Sequence, residues 1–193
     1  FTTEIGKQQA ASVKLQEAQK ALAADRVVEA EKILLQVIAV DPHNVGAYRG
    51  LGEVYRRQKN YDQAKEVFEF LLKLNDKDPL AYLGLADLAE AKGDLLTASQ
   101  EYHRVLTLDT ANVPSYLALA KTYQAMGQTN EAQEVIKQGL EVEPRNVVLL
   151  DFLIEISIIL QDQPEAIKAW EKLQIVNPDN QKLSELREQI DDL

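Results

Sequence analysis

The chain has 193 residues, of which 46 % are hydrophobic, and it carries a net charge of −10. The absence of cysteine excludes disulfides and thiolate metal sites. The acidic balance argues against a protein that wraps nucleic acid or lies on an anionic membrane, since both need clustered Lys and Arg.

Residues 1–10 show no repeating pattern. Thr2 and Thr3 are suitable helix caps, so we expect this segment to extend the first helix, and the alternative is a linker beside a membrane. No apolar run approaches the roughly 18 residues needed to cross a bilayer, so we expect no membrane insertion within the chain. Because Phe1 is not an initiator Met, the location stays open between the cytoplasm and tethering to a membrane by a segment upstream of Phe1.

Residues 11–44 predict a first pair of helices. The first helix of this pair is polar, and its apolar stripe consists of Leu15, Ala18 and Leu22. A polar outer face is typical of the terminal unit in a stack of helices, because that unit has no neighbour on one side.

Residues 45–78 predict a second pair of helices. The apolar face of its first helix recurs at three- and four-residue steps and consists of Tyr48, Leu51, Gly52 and Tyr55. Gly52 indicates that a neighbouring helix approaches closely, because Gly otherwise costs about 1 kcal/mol inside a helix. Asn60, followed by Gln63, predicts an N-cap with a capping box at the start of the second helix.

The same pattern recurs at a step of 34 residues and divides the chain into blocks 11–44, 45–78, 79–112, 113–146 and 147–180. The small residue of the first helix is Ala18, Gly52, Ala86, Ala120 and Ile154. The Ala that opens the second helix is Ala30, Ala64, Ala98, Ala132 and Ala166. The large apolar residue behind it is Leu34, Phe68, Tyr102, Ile136 and Trp170. This joint register predicts five helix pairs whose members cross closely.

Capping signals agree with these boundaries. Asp78, Asn112 and Asn146 stand where first helices begin, and Asp162 stands where the fifth second helix begins. A proline follows three of these four residues within two positions, where its missing N–H costs nothing. Gly139 replaces a core apolar residue, so we expect loose packing at that helix end.

Residues 181–193 predict one more helix. Its narrow apolar stripe consists of Leu183, Leu186, Ile190 and Leu193, and its other faces are charged. One apolar stripe is typical of a helix that covers the last unit of a stack and meets water on its other side. The sequence therefore predicts eleven helices and no strand.

This pattern resembles the tetratricopeptide repeat, which places aromatic, Leu, small and Pro residues at set offsets over 34 residues. The resemblance covers residues 11–180. It implies an all-α fold, a right-handed helical-hairpin solenoid (an α–α superhelix) of five repeats with an elongated shape. It also implies a non-catalytic scaffold or adaptor that binds a peptide or segment of another protein on its concave surface.

In this family the first helices line the concave groove. The matching residues of the middle repeats are Arg49, Glu53, Arg56, Leu80, Leu83, Asp87, Glu90, Leu117, Lys121 and Gln124. Leu83 and Leu117 favour a binding groove over a solvated face, because they would otherwise be apolar residues on an open surface. One branch of the family grips chaperone C-terminal carboxylates with a Lys and an Asn, but Leu15 and Gln19 stand at those positions here, so we do not expect that specificity.

Residues suited to catalysis are scarce. His43 and His103 are sixty residues apart and outside any cluster with metal-ligand spacing. There is no Gly-rich phosphate loop or dinucleotide fingerprint. Trp170, Tyr102 and Phe68 share one repeat position, so we expect them in the core and not in an aromatic cage. We therefore expect no enzyme, no metal and no cofactor.

The fifth first helix is apolar nearly all round, so it must be covered on most sides. We expect its neighbours and the last helix to cover it. The alternative is a homo-oligomer that associates around Phe152, Ile158 and Ile159. The chain would then be a self-associating structural module. A third hypothesis, compatible with either function, is that the chain is the soluble part of a membrane-tethered assembly factor.

Overall fold

The computed structural model describes residues 4–193, so the cap predicted at Thr2 and Thr3 lies outside the described residues. Within residues 4–193 the chain forms eleven α-helices and no strand, as the sequence predicts. The chain divides into two compact units, Phe1–Lys92 (unit 1) and Gly93–Leu193 (unit 2). Each unit is described by itself below.

Unit 1 contains α1 (Glu4–Ala23), α2 (Val27–Val40), α3 (Val45–Arg57), α4 (Tyr61–Leu74) and α5 (Pro79–Ala91). Each helix packs on the next, and α3 also contacts both α1 and α5. Unit 2 contains α6 (Leu95–Leu108), α7 (Val113–Ala125), α8 (Thr129–Val142), α9 (Val147–Ile159), α10 (Gln163–Val176) and α11 (Leu183–Asp191). There too each helix packs on the next, and α11 returns to contact α9.

The helices begin at a constant step of 34 residues. First helices begin at Val45, Pro79, Val113 and Val147, and second helices begin at Val27, Tyr61, Leu95, Thr129 and Gln163. The turn between them also repeats, because a left-handed residue occurs at the same step: Asp25, Lys59, Gly93, Gly127 and Gln161, with φ between 56° and 77°. At Lys59 the amide of the following residue donates to Tyr55 O and its own amide donates to Arg56 O. This pair of hydrogen bonds is a Schellman motif, which ends a helix by satisfying its last carbonyls.

The predicted caps of the first helices are present. Asp78, Asn112 and Asn146 each accept a hydrogen bond from the backbone N–H two or three residues later, and Asp162 does the same for α10. The capping box predicted at Asn60 is wrong, because its side chain makes no cap hydrogen bond and instead donates to the side chain of Gln63.

In unit 1 the close approach predicted at Gly52 is present. A Cβ on Gly52 would lie 2.6 Å from the Phe68 ring, and a Cβ on Gly84 would lie 2.4 Å from the same ring. The side chain of Phe68 is only 5 % exposed. Two glycines, one on α3 and one on α5, therefore make room for a single aromatic ring from α4.

In unit 2 the loose packing predicted at Gly139 is wrong. Gly139 is buried, and a Cβ there would lie 2.9 Å from Leu149 Cδ1 and 3.0 Å from Tyr116 Cβ. Both distances are shorter than ordinary van der Waals contact, so the missing side chain leaves no void. Neighbouring helices have closed over the backbone instead.

The apolar stripe of α11 lies mostly against the rest of unit 2. Leu183, Leu186 and Ile190 of α11 are buried, whereas Leu193 is exposed. The indole Nε1 of Trp170 donates to Leu183 O at 2.8 Å, which ties α10 to the first turn of α11. No helix in the described part of the chain is long and apolar enough to cross a membrane.

Candidate functional site

Six of the ten residues predicted for the groove line one cavity in unit 1. They are Arg49, Glu53, Arg56, Leu80, Leu83 and Asp87, and Phe68 and Gly84 complete the lining. The cavity has a volume of about 190 Å³. The side chains of α3 and α5 surround it, and the buried ring of Phe68 reaches it because Gly84 has no side chain in the way.

A second cavity adjoins the first and has a volume of about 310 Å³. It shares Arg49 and Leu80 with the first cavity and is otherwise lined by Leu15, Ala18, Gln19, Leu22, Leu34, Gly46 and Gly50. We call the two cavities together the unit 1 groove. Leu15 and Gln19 stand where a carboxylate clamp would need Lys and Asn, and both line the second cavity. The part of the unit 1 groove next to α1 is therefore mainly apolar.

Charges in the unit 1 groove are paired with one another. Arg56 donates to both carboxylate oxygens of Glu53, at 2.7 and 2.9 Å, and Arg57 Nε donates to Glu53 Oε1 at 2.6 Å. Burial of Glu53 favours its neutral form, but the hydrogen bonds and charges of the two arginines outweigh burial and lower the pKa of Glu53. The bond to Glu53 raises the pKa of Arg56 despite its partial burial, and Asp87 adds to this effect.

Arg49 has a role that its position in the repeat does not reveal. Its Nε and Nη2 donate to Asp78 Oδ2 at 3.0 and 2.8 Å, and the Asp78 carboxylate is fully buried. The other oxygen of Asp78 accepts the backbone N–H of Leu80 and caps α5. A buried carboxylate without its cation is strongly destabilising, so Arg49 holds the start of α5 in place as well as lining the groove.

The remaining predicted groove residues lie elsewhere. Glu90 is exposed on α5 and does not line the unit 1 groove. Leu117, Lys121 and Gln124 belong to α7 of unit 2, where Lys121 is exposed and Gln124 is half-buried.

Leu117 lines a cavity in unit 2 with a volume of about 310 Å³. Its other lining residues are Val113, Pro114, Glu143, Asn146, Val148 and Leu149. We call this cavity the unit 2 basin. The sequence prediction missed Pro114 and Val148, although both lie at 34-residue steps from Leu80 and could have been found by extending that register.

The residues of the self-association alternative are mostly covered. Phe152 is buried, Ile158 is half-buried, and only Ile159, at 57 % exposed, offers most of its side chain to a partner. The packing of α9 against α8, α10 and α11 within unit 2 accounts for the burial of its apolar faces.

Each of the two histidines has a hydrogen-bonded neighbour in the described part of the chain. His103 Nε2 lies 2.6 Å from the hydroxyl of Tyr123, and the backbone N–H of His43 donates to Asp41 Oδ1. Among residues 4–193 no three or more His, Asp or Glu side chains are grouped so that they could hold a metal ion. Tyr102 and Phe68 are buried as expected for core residues, and Trp170 is half-buried beneath the guanidinium of Arg187, which lies 5.4 Å from the ring.

Comparison with protein families gives one match. The family described as "Tetratricopeptide repeat" matches residues 21–88 and 89–153, which together exceed half of the chain. A search of curated proteins finds no significant sequence match.

Solved structures share the fold at low sequence identity. PilF from Pseudomonas aeruginosa superposes with a TM-score of 0.79 at 14 % identity, covering 97 % of this chain and 90 % of PilF. MamA superposes with a TM-score of 0.72 at 19 % identity, covering 91 % and 96 % of the two chains. YrrB, described as a repeat protein "with an unusual peptide-binding site", has a TM-score of 0.68 at 16 % identity, covering 91 % and 90 %. At these identities the likeness concerns the fold alone.

Proposed function

Because the chain belongs to the tetratricopeptide repeat family, whose fold serves as a protein-interaction scaffold, we propose that it is a non-catalytic scaffold that binds a segment of another protein in the unit 1 groove. The observation that carries this proposal is the combination of an apolar lining with charges that are already paired. Leu80 is 45 % exposed, Leu83 is half-buried, and the ring of Phe68 from α4 lines the same cavity.

The apolar residues would supply most of the affinity. A side chain that enters the cavity removes Leu80 and Leu83 from water. Partly exposed ion pairs contribute only about 0.2–1 kcal/mol each, and Arg56 and Glu53 are already committed to one another. These charges therefore restrict which segments fit, because an unmatched charge brought against them costs affinity.

The volumes set the scale of the bound segment. Cavities of about 190 and 310 Å³ each accommodate a few large side chains. Because both cavities border Arg49 and Leu80, one continuous segment can place anchors in both. YrrB, a protein of similar fold, is described as having a peptide-binding site, which is consistent with such a role for the fold but does not locate it here.

The test first selects peptides that bind the chain and then replaces the apolar residues Leu80 and Leu83 of the unit 1 groove. Peptides are selected from a random phage-displayed library on the intact chain, and their affinities are measured by fluorescence anisotropy. Leu80→Asp with Leu83→Asp should weaken the selected peptides by tenfold or more, which is about 1.4 kcal/mol. Leu80→Asp alone should also weaken them and, because Leu80 is largely exposed, should leave the melting temperature nearly unchanged.

Leu35 provides a matched control. It lies on α2 and is 46 % exposed, against 45 % for Leu80, but it does not line the groove. Leu35→Asp should leave the affinities within about twofold. If Leu80→Asp and Leu35→Asp have equal effects, or neither has any, the unit 1 groove is not the binding surface.

A further inference from the structure

We propose that the unit 2 basin is a docking site of its own, for a basic segment of a partner protein that carries a large aliphatic side chain. This inference rests on the proposed class of function, a protein-binding scaffold, but not on the unit 1 groove. It concerns different residues and a partner of different chemistry.

The unit 2 basin has an apolar base and an apolar rim. Val113 and Leu149 are buried at 6 % and 1 % exposed and form the base. Pro114, Leu117 and Val148 form the rim, and Val148 is 56 % exposed. All five belong to the first halves of α7 and α9, and the three rim residues are exposed or half-buried. An aliphatic side chain of a partner would rest on the base and remove the rim from water.

A carboxylate borders this apolar surface. Glu143 lines the unit 2 basin and is exposed, and its Oε2 accepts a hydrogen bond from Asn146 Nδ2 at 2.8 Å. Within the described residues Glu143 forms no ion pair with a Lys or Arg of unit 2. A cation placed next to the aliphatic side chain of a bound segment would meet this carboxylate at the edge of the basin.

Two further carboxylates follow Val148 along the same face of α9. Asp151 and Glu155 come three and seven residues after Val148, so they continue its row along the helix. Asp151 accepts a hydrogen bond from Asn180, and Glu155 lies 3.4 Å from Lys182. Burial raises the pKa of Asp151, and the Asn180 bond and Lys182 offset only part of this effect. A cation from a partner would favour the ionised form of Asp151.

The charge of the whole unit points the same way. Residues 93–193 contain 8 Lys and Arg against 17 Asp and Glu, a net charge of −9, whereas residues 1–92 contain 13 against 14, a net charge of −1. Almost the entire net charge of the protein therefore belongs to unit 2. A field of one sign attracts oppositely charged segments and raises their association rate. The unit 2 basin thus combines an aliphatic anchor point with a strongly acidic surrounding.

The test compares two synthetic peptides that differ only in charge. Both carry Leu at the same positions, and one has Lys where the other has Glu. We expect the Lys peptide to bind the intact chain at least tenfold more tightly at low salt, and added NaCl should narrow this gap because it screens the attraction. Fluorescence anisotropy titrations at two salt concentrations measure both effects.

Replacing apolar residues by Gln locates the site without changing the net charge, and replacing Glu143 tests the carboxylate. Leu117→Gln with Val148→Gln should weaken the Lys peptide by tenfold or more. The matched pair Leu96→Gln with Leu108→Gln on α6, whose residues are 60 % and 39 % exposed and line neither the unit 2 basin nor the unit 1 groove, should leave it within about twofold. Glu143→Gln should weaken it severalfold and reduce its dependence on salt. Val148→Gln alone, at a largely exposed position, reports on the basin even if Leu117→Gln impairs folding.

Two outcomes overturn the proposal. Equal affinity of the Lys and Glu peptides would mean that charge does not select the partner. An unchanged affinity of the Lys peptide for Val148→Gln and for the double variant would mean that the peptide is attracted to the acidic surface without entering the basin. Neither outcome bears on the unit 1 groove, whose test uses selected peptides and Leu80→Asp, so the two proposals fail independently.

Discussion

Glu101 occupies a position that the other helix pairs fill with apolar side chains. At the same register stand Ile33, Val67, Val135 and Ala169. Oxygen Oε2 of Glu101 is buried and has no hydrogen-bond partner among the described residues, and its nearest cation is Arg104 Nη1 at 3.6 Å. Burial raises the pKa of Glu101 above its ordinary value, and Arg104 offsets only part of the rise. The ionised carboxylate therefore opposes folding at neutral pH.

The sign of the pH dependence follows from this raised pKa. The folded state binds the Glu101 proton more tightly than the unfolded state does, so this group costs stability at neutral pH and the cost disappears as pH falls through the folded pKa. We predict that Glu101→Val raises the free energy of unfolding by about 1–2 kcal/mol at neutral pH. The gain over the wild type should shrink as the pH is lowered from neutral to a mildly acidic value, because Glu101 takes up its proton in the folded state before it does so in the unfolded state.

Urea unfolding at the two pH values measures both quantities. Glu141→Val, at an exposed position of α8, is the control and should change stability by less than about 0.5 kcal/mol at either pH. A destabilised Glu101→Val, or a gain that does not depend on pH, would contradict the interpretation that a buried charge is the cause.

The ion pair of Arg49 and Asp78 shows that the position of a residue in the repeat does not always predict its role. The repeat register places Arg49 on the first helix, and from that position the sequence predicts a contact with a partner. The structure instead brings Arg49 to a carboxylate 29 residues away that is fully buried. Sequence alone cannot reveal this pairing. It already accounts for Arg49 as a groove residue and for Asp78 as a helix cap, so nothing indicates that the two side chains meet. Substituting Arg49 would disturb α5 and is a poor test of binding.

At the scale of helices, the turn inside each pair is set by the backbone more than by residue type. All five turns use a left-handed residue, but only Gly93 and Gly127 are glycines, and the other three are Asp25, Lys59 and Gln161. A left-handed conformation costs a residue with a Cβ roughly 1–2 kcal/mol. At Asp25, Lys59 and Gln161 the packing of the two helices within one unit holds the turn in place, so a search for glycine finds only two of the five.

Packing also decided the predictions that failed. Gly139 is a gap in the apolar pattern, but Tyr116 and Leu149 approach its backbone and fill the space. Asn60 has the residue type of a cap, but its side chain bonds to Gln63. The spacing of apolar residues predicts that helices exist and where they begin. It cannot predict how far neighbouring side chains move to close a gap.

The last helix can be tested through the single tryptophan of the chain. Trp170 donates to Leu183 O, Gln163 Nε2 donates to Ile190 O, and Arg187 lies over the indole ring. We predict that deleting residues 182–193 shifts the Trp170 fluorescence to the red and speeds hydrogen exchange in α9 and α10 first, because their apolar faces lose their cover.

A shorter deletion serves as its control. Removing Asp192 and Leu193 alone takes away two exposed residues and should change neither the fluorescence nor the exchange. If α9 and α10 keep their protection after the longer deletion, then α11 does not act as a cap.

At the scale of the whole molecule, the 34-residue register predicts most of the fold and only part of the candidate sites. The number, order and starting points of the helices follow from a pattern that occurs in every repeat. Where one repeat departs from the pattern, the other repeats still indicate where its helices begin. The cavities depend on the identity of residues at one repeat position, such as Gly84 beside Phe68. Such differences between repeats create a cavity in one part of the surface and none in another. The repeat pattern cannot predict them, because it contains only what the repeats share.

The uneven charge is also a property of the whole molecule, and it yields a prediction about stability. With 17 acidic and 8 basic residues, unit 2 leaves at least nine carboxylates without a basic partner of its own, whereas unit 1 is nearly balanced. Self-repulsion of like charges destabilises a compact state. Raising NaCl from low to moderate concentration shortens the Debye length to about 10 Å or less and should therefore slow hydrogen exchange in α7–α10 more than in α2–α5.

Ion pairs within unit 2 oppose this effect, because salt weakens them as well. They include Lys137–Glu134, Lys168–Glu165, Lys182–Glu155 and Arg187–Asp191, which are partly or largely exposed. Exposed pairs are worth only about 0.2–1 kcal/mol each, so we expect the excess of carboxylates to dominate. Replacing Glu188 and Asp192, two exposed acids of the C-terminal segment, with Lys should reduce the salt response of unit 2 and leave that of unit 1 unchanged. An equal salt response in both units of the wild type would show that self-repulsion does not limit the stability of unit 2.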